Sequence, residues 1–129
     1  MKAIESHRDL VAWQKAVDFG LLLYAITSRF PDHERFGLTS QLRRAGVSAA
    51  SNIAEGYGRG RTNDYLRFLS MARGSLCEID TQLAFALRLG FIDDAMYSDA
   101  TMKCRECGRI LAGLIRSIEE TTHGQGAQH

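Results

Sequence analysis

Apolar residues recur along most of this chain at spacings of three and four, the repeat that aligns side chains on one face of an α-helix. In the first such stretch Leu10, Trp13, Val17, Leu21 and Tyr24 form one stripe, and Leu22, Leu23 and Ile26 widen it. The chain's only proline, Pro31, follows directly, and a proline disfavours helical geometry in the residue before it, so a first helix is predicted over 9–30. Its apolar face is broader than one packing neighbour needs. A second stripe, Leu38, Leu42, Ala45, Ala49 and Ile53, leaves Arg43, Arg44, Ser48 and Ser51 on other faces. Gly56, Gly58 and Gly60 are expected to end that helix, because glycine readily takes the left-handed cap geometry.

Thr62, Asn63 and Asp64 supply capping oxygens for a third helix reaching about Arg88, with Leu66, Leu69, Leu76, Ile79, Leu83 and Ala86 facing inward and Gly90 as its stop. Asp93, Asp94 and Ser98 offer alternative caps for a fourth helix to about Glu119. Its predicted inner face is Met102, Ile110, Leu111, Leu114, Ile115 and Ile118. No strand pattern competes. Helices of roughly 20 residues, each ~30 Å long and joined by short connections, predict an all-α fold, an antiparallel up-down-up-down four-helix bundle. The domain is expected to fill residues 1–121, with a flexible, frayed tail over 122–129. Helix two is dense in Ala45, Gly46, Ser48, Ala49, Ala50, Ser51 and Ala54, so it is predicted either to pack most tightly or to serve as an interface helix.

Composition narrows the class. A length of 129 residues, 45% of them hydrophobic and 24% charged, fits one globular domain. The longest mostly apolar run, 19–26, is too short to span a bilayer, and the first residues lack the pattern of a signal peptide, so no membrane partner is expected and a cytoplasmic location is. Three cysteines without framework spacing agree with a reducing compartment. The net charge is only +1, yet residues 35–73 carry seven arginines against Glu55 and Asp64, a net +5 that leaves −4 for the remainder. The charge is segregated.

That segregation makes the basic segment the candidate site, with Arg43, Arg44, Tyr57, Arg59, Arg61 and Arg67 as its nucleic-acid-binding residues. Guanidinium forks pair well with phosphate, glycines let backbone amides approach an anion, and Tyr57 offers a stacking ring. The competing reading pairs these arginines with Glu55, Asp64 or acids of a neighbouring subunit. The glycine run of 56–60 is no nucleotide fingerprint, since no strand precedes it and the P-loop lysine is missing. Cys104 and Cys107 have C-x-x-C spacing but lie within a predicted helix without a second ligand pair, which points to small buried residues rather than a metal site. Ser48, Ser51 and Asn52 are expected to bond across a close helix contact, and Trp13 and Tyr24 to serve as core or subunit-contact aromatics. No nucleophile, base and acid are placed together by motif, so the chain is expected to be non-enzymatic and free of metal and cofactor.

Several short strings, taken in order, carry a family resemblance: Trp13-Gln14-Lys15-Ala16, Phe30-Pro31, the run from Phe36-Gly37-Leu38 through Gln41-Leu42-Arg43-Arg44-Ala45, Val47-Ser48, Ser51-Asn52-Ile53-Ala54-Glu55-Gly56, Gly58-Arg59, and the stretch 69–83. Over about residues 10–92 the chain resembles the four-helix-bundle proteins encoded in intervening sequences of bacterial 23S rRNA genes, which are related to accessory proteins of diversity-generating retroelements. The resemblance implies a homo-oligomer, most simply a closed ring of five bundles, and suggests a nucleic-acid role. This chain departs from the family pattern at Ala49 and Ala50, where isoleucine and proline are usual, and at Gly46, where alanine is usual. A mid-helix proline removes a backbone hydrogen bond, so the kink it causes is expected to be weaker here.

Two functional readings follow. One is an oligomeric adaptor that binds structured RNA, or a partner protein with its nucleic acid, through the arginine-bearing segment. The other is a structural scaffold or protein–protein adaptor whose arginines serve subunit pairing.

Overall fold

The structure is a computed structural model that describes the backbone of residues 3–127 and the side chains of residues 3–121. Four helices account for nearly all of it: α1 (Val11–Thr27), α2 (Leu38–Gly58), α3 (Thr62–Arg88) and α4 (Asp94–Ala127), with short 3-10 turns at His7–Asp9 and Asp32–Glu34. No strand occurs among the described residues. Each helix packs on its chain neighbours, and α4 closes the set by packing on α1. Contacts run in opposite senses along successive helices. Arg43 meets Thr27 while Gly46 meets Gly20 across α1 and α2, and Ser48 meets Ser75 while Gly56 meets Phe68 across α2 and α3.

Leu23, Leu42, Leu69, Ile79, Leu83 and Leu111 are fully buried and hold the centre. Ala12, Ala16, Ala45, Ala49, Ala72, Ala86 and Ala100 fill the narrower gaps, so helices approach closely where side chains are small. At Gly46 α1 and α2 approach closely, since a Cβ there would lie 3.1 Å from Leu23 Cδ1 and 3.4 Å from Gly20 Cα.

Three expectations need correction. The stripe read on the first helix is not its core face. Leu21 is 64% exposed and Tyr24 43%, Trp13 and Val17 are half-buried, and the inward residues are Ala12, Ala16, Phe19, Leu23 and Ile26. This helix carries two apolar arcs, and spacing alone does not say which one meets the bundle. Met102, read as inward, is 63% exposed, whereas α4 faces the core with Ala100, Thr101, Cys104, Cys107 and Leu111. The glycine run does not stop α2 at Gly56, which is buried within the helix where α3 crosses. Only Gly60 takes the left-handed conformation, at φ 75°.

The helix ends show similar shifts. Thr62 begins α3 as its first helical residue after Arg61, and no side chain caps that end. At α4 the Asp93 carboxylate does cap, accepting from the Met96 backbone amide at 2.8 Å. Gly90, at φ 79°, ends the α3 side of that connection as expected. Helix α4 continues past Glu119, and the predicted tail at 122–129 lies outside the residues whose side chains are described.

Candidate nucleic-acid and assembly surfaces

The six arginine-segment candidates fall at two separate places. Arg43 and Arg44 lie on the first half of α2, beside the end of α1, while Tyr57, Arg59, Arg61 and Arg67 surround the turn into α3. Sixteen residues of helix separate Arg43 from Arg59, about 24 Å at 1.5 Å per residue. They do not form one patch.

At the α2–α3 turn the positive charge is largely met within the chain. Arg59 Nη2 donates to Glu55 Oε1 at 2.7 Å, and Arg67 Nη2 lies 3.6 Å from Asp64 Oδ1. Both guanidiniums also sit 5.0 Å from the Phe68 ring. Tyr57 is half-buried and meets Tyr65 edge-on, with ring centroids 6.2 Å apart, so its ring is committed to packing rather than open for stacking. Burial, and then Tyr57 beside it, push the Tyr65 hydroxyl up to about 12. Arg61 is exposed, with no side-chain partner among the described residues.

Around Arg43 the arrangement differs. Its Nε donates to Thr27 Oγ1 at 2.8 Å, its Nη2 reaches the Tyr24 carbonyl at 3.4 Å, and its guanidinium lies 4.6 Å from the Tyr24 ring centroid. Thr27 is itself buried and donates to the Leu23 carbonyl at 2.7 Å, so the hydroxyl that receives Arg43 is fixed by the helix behind it. Arg35 and Arg44 flank the same hollow of about 600 Å³, along with Phe36, Thr39, Ser40, Val47 and Ser48, and no carboxylate lines it. Arg35 and Phe36 are absent from the site residues expected from sequence, where Phe36 entered only as part of a family string. They precede the helix, and only the charge count over 35–73 hinted at Arg35.

A second feature runs along the outside of α1 and α2. Trp13, Val17, Leu21 and Tyr24 stand opposite Val47, Ala50 and Ala54, with Gly20 and Gly46 as the floor of a shallow apolar groove of about 320 Å³. This is the broad stripe of the first helix, turned outward. Tyr24 and Val47 belong to both the groove and the arginine hollow, so the two are continuous.

The remaining candidates are structural. Ser75 Oγ lies 3.1 Å from Ser48 Oγ, and Asn52 Nδ2 donates to the Ser48 carbonyl at 2.9 Å, joining α2 to α3 through a small polar seam. Ser51 is exposed and takes no part. Cys104 and Cys107 are buried, with Sγ atoms 3.5 Å and 3.4 Å from the Leu76 and Lys15 carbonyls. Burial raises both thiols, Cys104 to about 12 with help from Asp80 and Cys107 to about 11 with help from Glu106. Among the described residues no three His, Cys, Asp or Glu side chains cluster as a metal site, and no helix is long and apolar enough to cross a membrane.

Fold and surfaces together define an all-α, four-helix protein with an outward apolar face that runs into an arginine hollow. The profile of the family described as 23S rRNA-intervening sequence protein matches residues 8–113, and the chain belongs to that family. Among solved structures it is similar to a protein of unknown function from the S23 ribosomal protein family of Bacteroides thetaiotaomicron VPI-5482. The two are 21% identical, with a TM-score of 0.76 over 81% of this chain and 98% of that one, a likeness of fold. Comparison with curated proteins gives no match.

Proposed function

We propose that this protein is a non-enzymatic, self-assembling scaffold, an antiparallel up-down-up-down four-helix bundle acting in the cytoplasm, whose copies meet through the α1–α2 face. One observation carries the reading: Leu21, Tyr24 and Val47 are 64%, 43% and 51% exposed on a continuous apolar strip beside half-buried Trp13, Val17 and Ala50. Such a strip is costly in water and marks an interaction surface. Its floor of small residues admits a neighbouring helix closely. A closed ring requires a second, different patch on the same chain. Phe85 and Leu89, 60% and 56% exposed near the end of α3, offer one. The family resemblance favours five copies.

Multi-angle light scattering tests this directly. The wild type is expected to run at about five times the 14.4 kDa chain mass, and Leu21→Glu with Val47→Glu to reduce it to a monomer that keeps its helical circular dichroism. A wild-type monomer at micromolar concentration overturns the reading.

A second reading, an adaptor for structured RNA, is favoured by the exposed arginines that form no ion pair among the described residues, Arg44 and Arg61 above all. Binding of that kind is electrostatic and weakens with salt by about −0.9 in log–log slope for each duplex phosphate neutralised. Arg59 and Arg67 contribute less to it, since their charge already serves Glu55 and Asp64. Absence of RNA retention at low salt removes this reading and leaves the scaffold standing.

A further inference from the structure

We propose that the hollow between the end of α1 and the start of α2, walled by Arg35, Arg43 and Arg44 and edged by Phe36, binds a phosphate carried with a planar base: a nucleotide, free or as an unpaired residue of a strand. The inference goes beyond self-assembly and does not depend on it.

Charge is the first ground. Three guanidiniums line one hollow, its other polar walls are the hydroxyls of Thr39, Ser40 and Ser48, and no carboxylate is among them. Like charges gathered in a lining that holds no carboxylate repel one another, and an anion relieves that repulsion; Glu78, the acid that shares the adjoining hollow with Arg44, forms no ion pair with it. A single carboxylate needs only one guanidinium fork, whereas a phosphate, with more charge and three outward oxygens, can use several.

The second ground is preorganisation. Arg43 is half-buried and held at three points, by Thr27 Oγ1, the Tyr24 carbonyl and the Tyr24 ring, so little side-chain freedom remains to be lost on binding. Those bonds use two of the five N–H groups of a guanidinium and leave three for a ligand. Arg59 and Arg67, by contrast, already lean on the acids of their own helices.

The third ground is Phe36, which is 90% exposed in the connection before α2, next to the three arginines. Tyr24 offers less, because Arg43 covers its ring. The Arg35 guanidinium lies over one face of the Phe36 ring, 5.6 Å from its centroid, and the other face of this 90% exposed ring supplies a stacking surface for a base; stacking tolerates any base because each has a flat face. A hollow of about 600 Å³ has the volume of a small-molecule site.

The test uses the full chain at low salt, titrated by isothermal calorimetry with adenosine monophosphate, uridine monophosphate, ribose 5-phosphate and a short oligouridylate. Both nucleotides are expected to bind, and more tightly than ribose 5-phosphate. Phe36→Ala should weaken the nucleotides about tenfold and leave ribose 5-phosphate unchanged. Arg43→Gln or Arg44→Gln should each weaken all the phosphates about tenfold, while Arg109→Gln, at an exposed position on α4, changes nothing. Arg44 is exposed, so its variant keeps the test open if Arg43→Gln loosens the α1–α2 contact. Oligouridylate bound far more tightly than the mononucleotides identifies a strand as the source, and equal affinities identify the free nucleotide. The proposal is overturned if no phosphate binds, if Phe36→Ala or both arginine variants bind like wild type, or if the arginine variants lose subunit mass along with binding, which would make these arginines subunit contacts.

Discussion

Two glycine-to-alanine substitutions should move stability in opposite directions, although both sit inside helices. Gly56 lies where α2 crosses α3, and a Cβ built there meets Phe68 Cβ at 2.9 Å, Tyr65 Cδ1 at 3.1 Å and the Tyr65 carbonyl oxygen at 3.2 Å. Two of those atoms are backbone or fixed directly to it, so no flexible side chain can swing aside and the helices must separate by several tenths of an ångström. Overpacking of this kind costs ~1 to 3 kcal/mol, against the ~1 kcal/mol that alanine gains over glycine in a helix. A 2.9 Å contact with an atom fixed to the backbone puts the packing cost in the upper part of that range, ~2 to 3 kcal/mol, so the net for Gly56→Ala is a loss of about 1 to 2 kcal/mol. Gly74 is exposed in the middle of α3 with nothing within 4 Å of its would-be Cβ. Only the propensity gain operates there, and Gly74→Ala should stabilise by about 0.5 to 1 kcal/mol. Urea melts at one fixed protein concentration measure both, the concentration being held because assembly couples to unfolding. If Gly56→Ala matches wild type, or if both variants shift the same way, the close α2–α3 crossing is wrong.

Other consequences are quicker to check. Removing the α4 cap with Asp93→Ala should cost ~1 kcal/mol, read from the same melts, because the Met96 amide loses its acceptor. A thiol-reactive dye should label one cysteine, the exposed Cys77, in the native protein near pH 8 and all three in denaturant, since burial keeps Cys104 and Cys107 protonated. Early native labelling of three would refute that burial. Stability should also fall on the alkaline side. Folded-state values raised from 9.0 for the two cysteines and 10.0 for Tyr65 to about 11 and 12 mean that the unfolded chain loses these protons first, so stability is intact below about pH 9 and declines as pH rises toward 12. A urea midpoint that stays flat from pH 8 to 11 counts against it.

The sequence by itself determined the number and type of elements, because a three-and-four repeat over some twenty residues has no competing strand reading, and Pro31 and Gly90 punctuate it by local backbone preference. It also determined much of the core of α2 and α3, where each helix carries one apolar arc, so Leu42, Ile53, Leu69, Ile79 and Leu83 had one direction to face. Family membership was legible for the same reason, in ordered local strings such as Gln41-Leu42-Arg43-Arg44. On α1 the two apolar arcs compete, and only packing decides between them: α2 comes close at Gly46, Leu23 fills that contact, and Leu21 and Tyr24 are left outside. The same dependence on position in space governs the arginines. Their nearness in sequence suggested one patch, but a rigid helix holds Arg43 and Arg59 about 24 Å apart, and the chain's folding back brings Arg35 and Phe36 beside Arg43 instead. Glycines 56 and 60 look alike in a string of letters. One is a crossing point and the other a left-handed turn, because the first is pressed by Phe68 and the second by nothing within 4 Å.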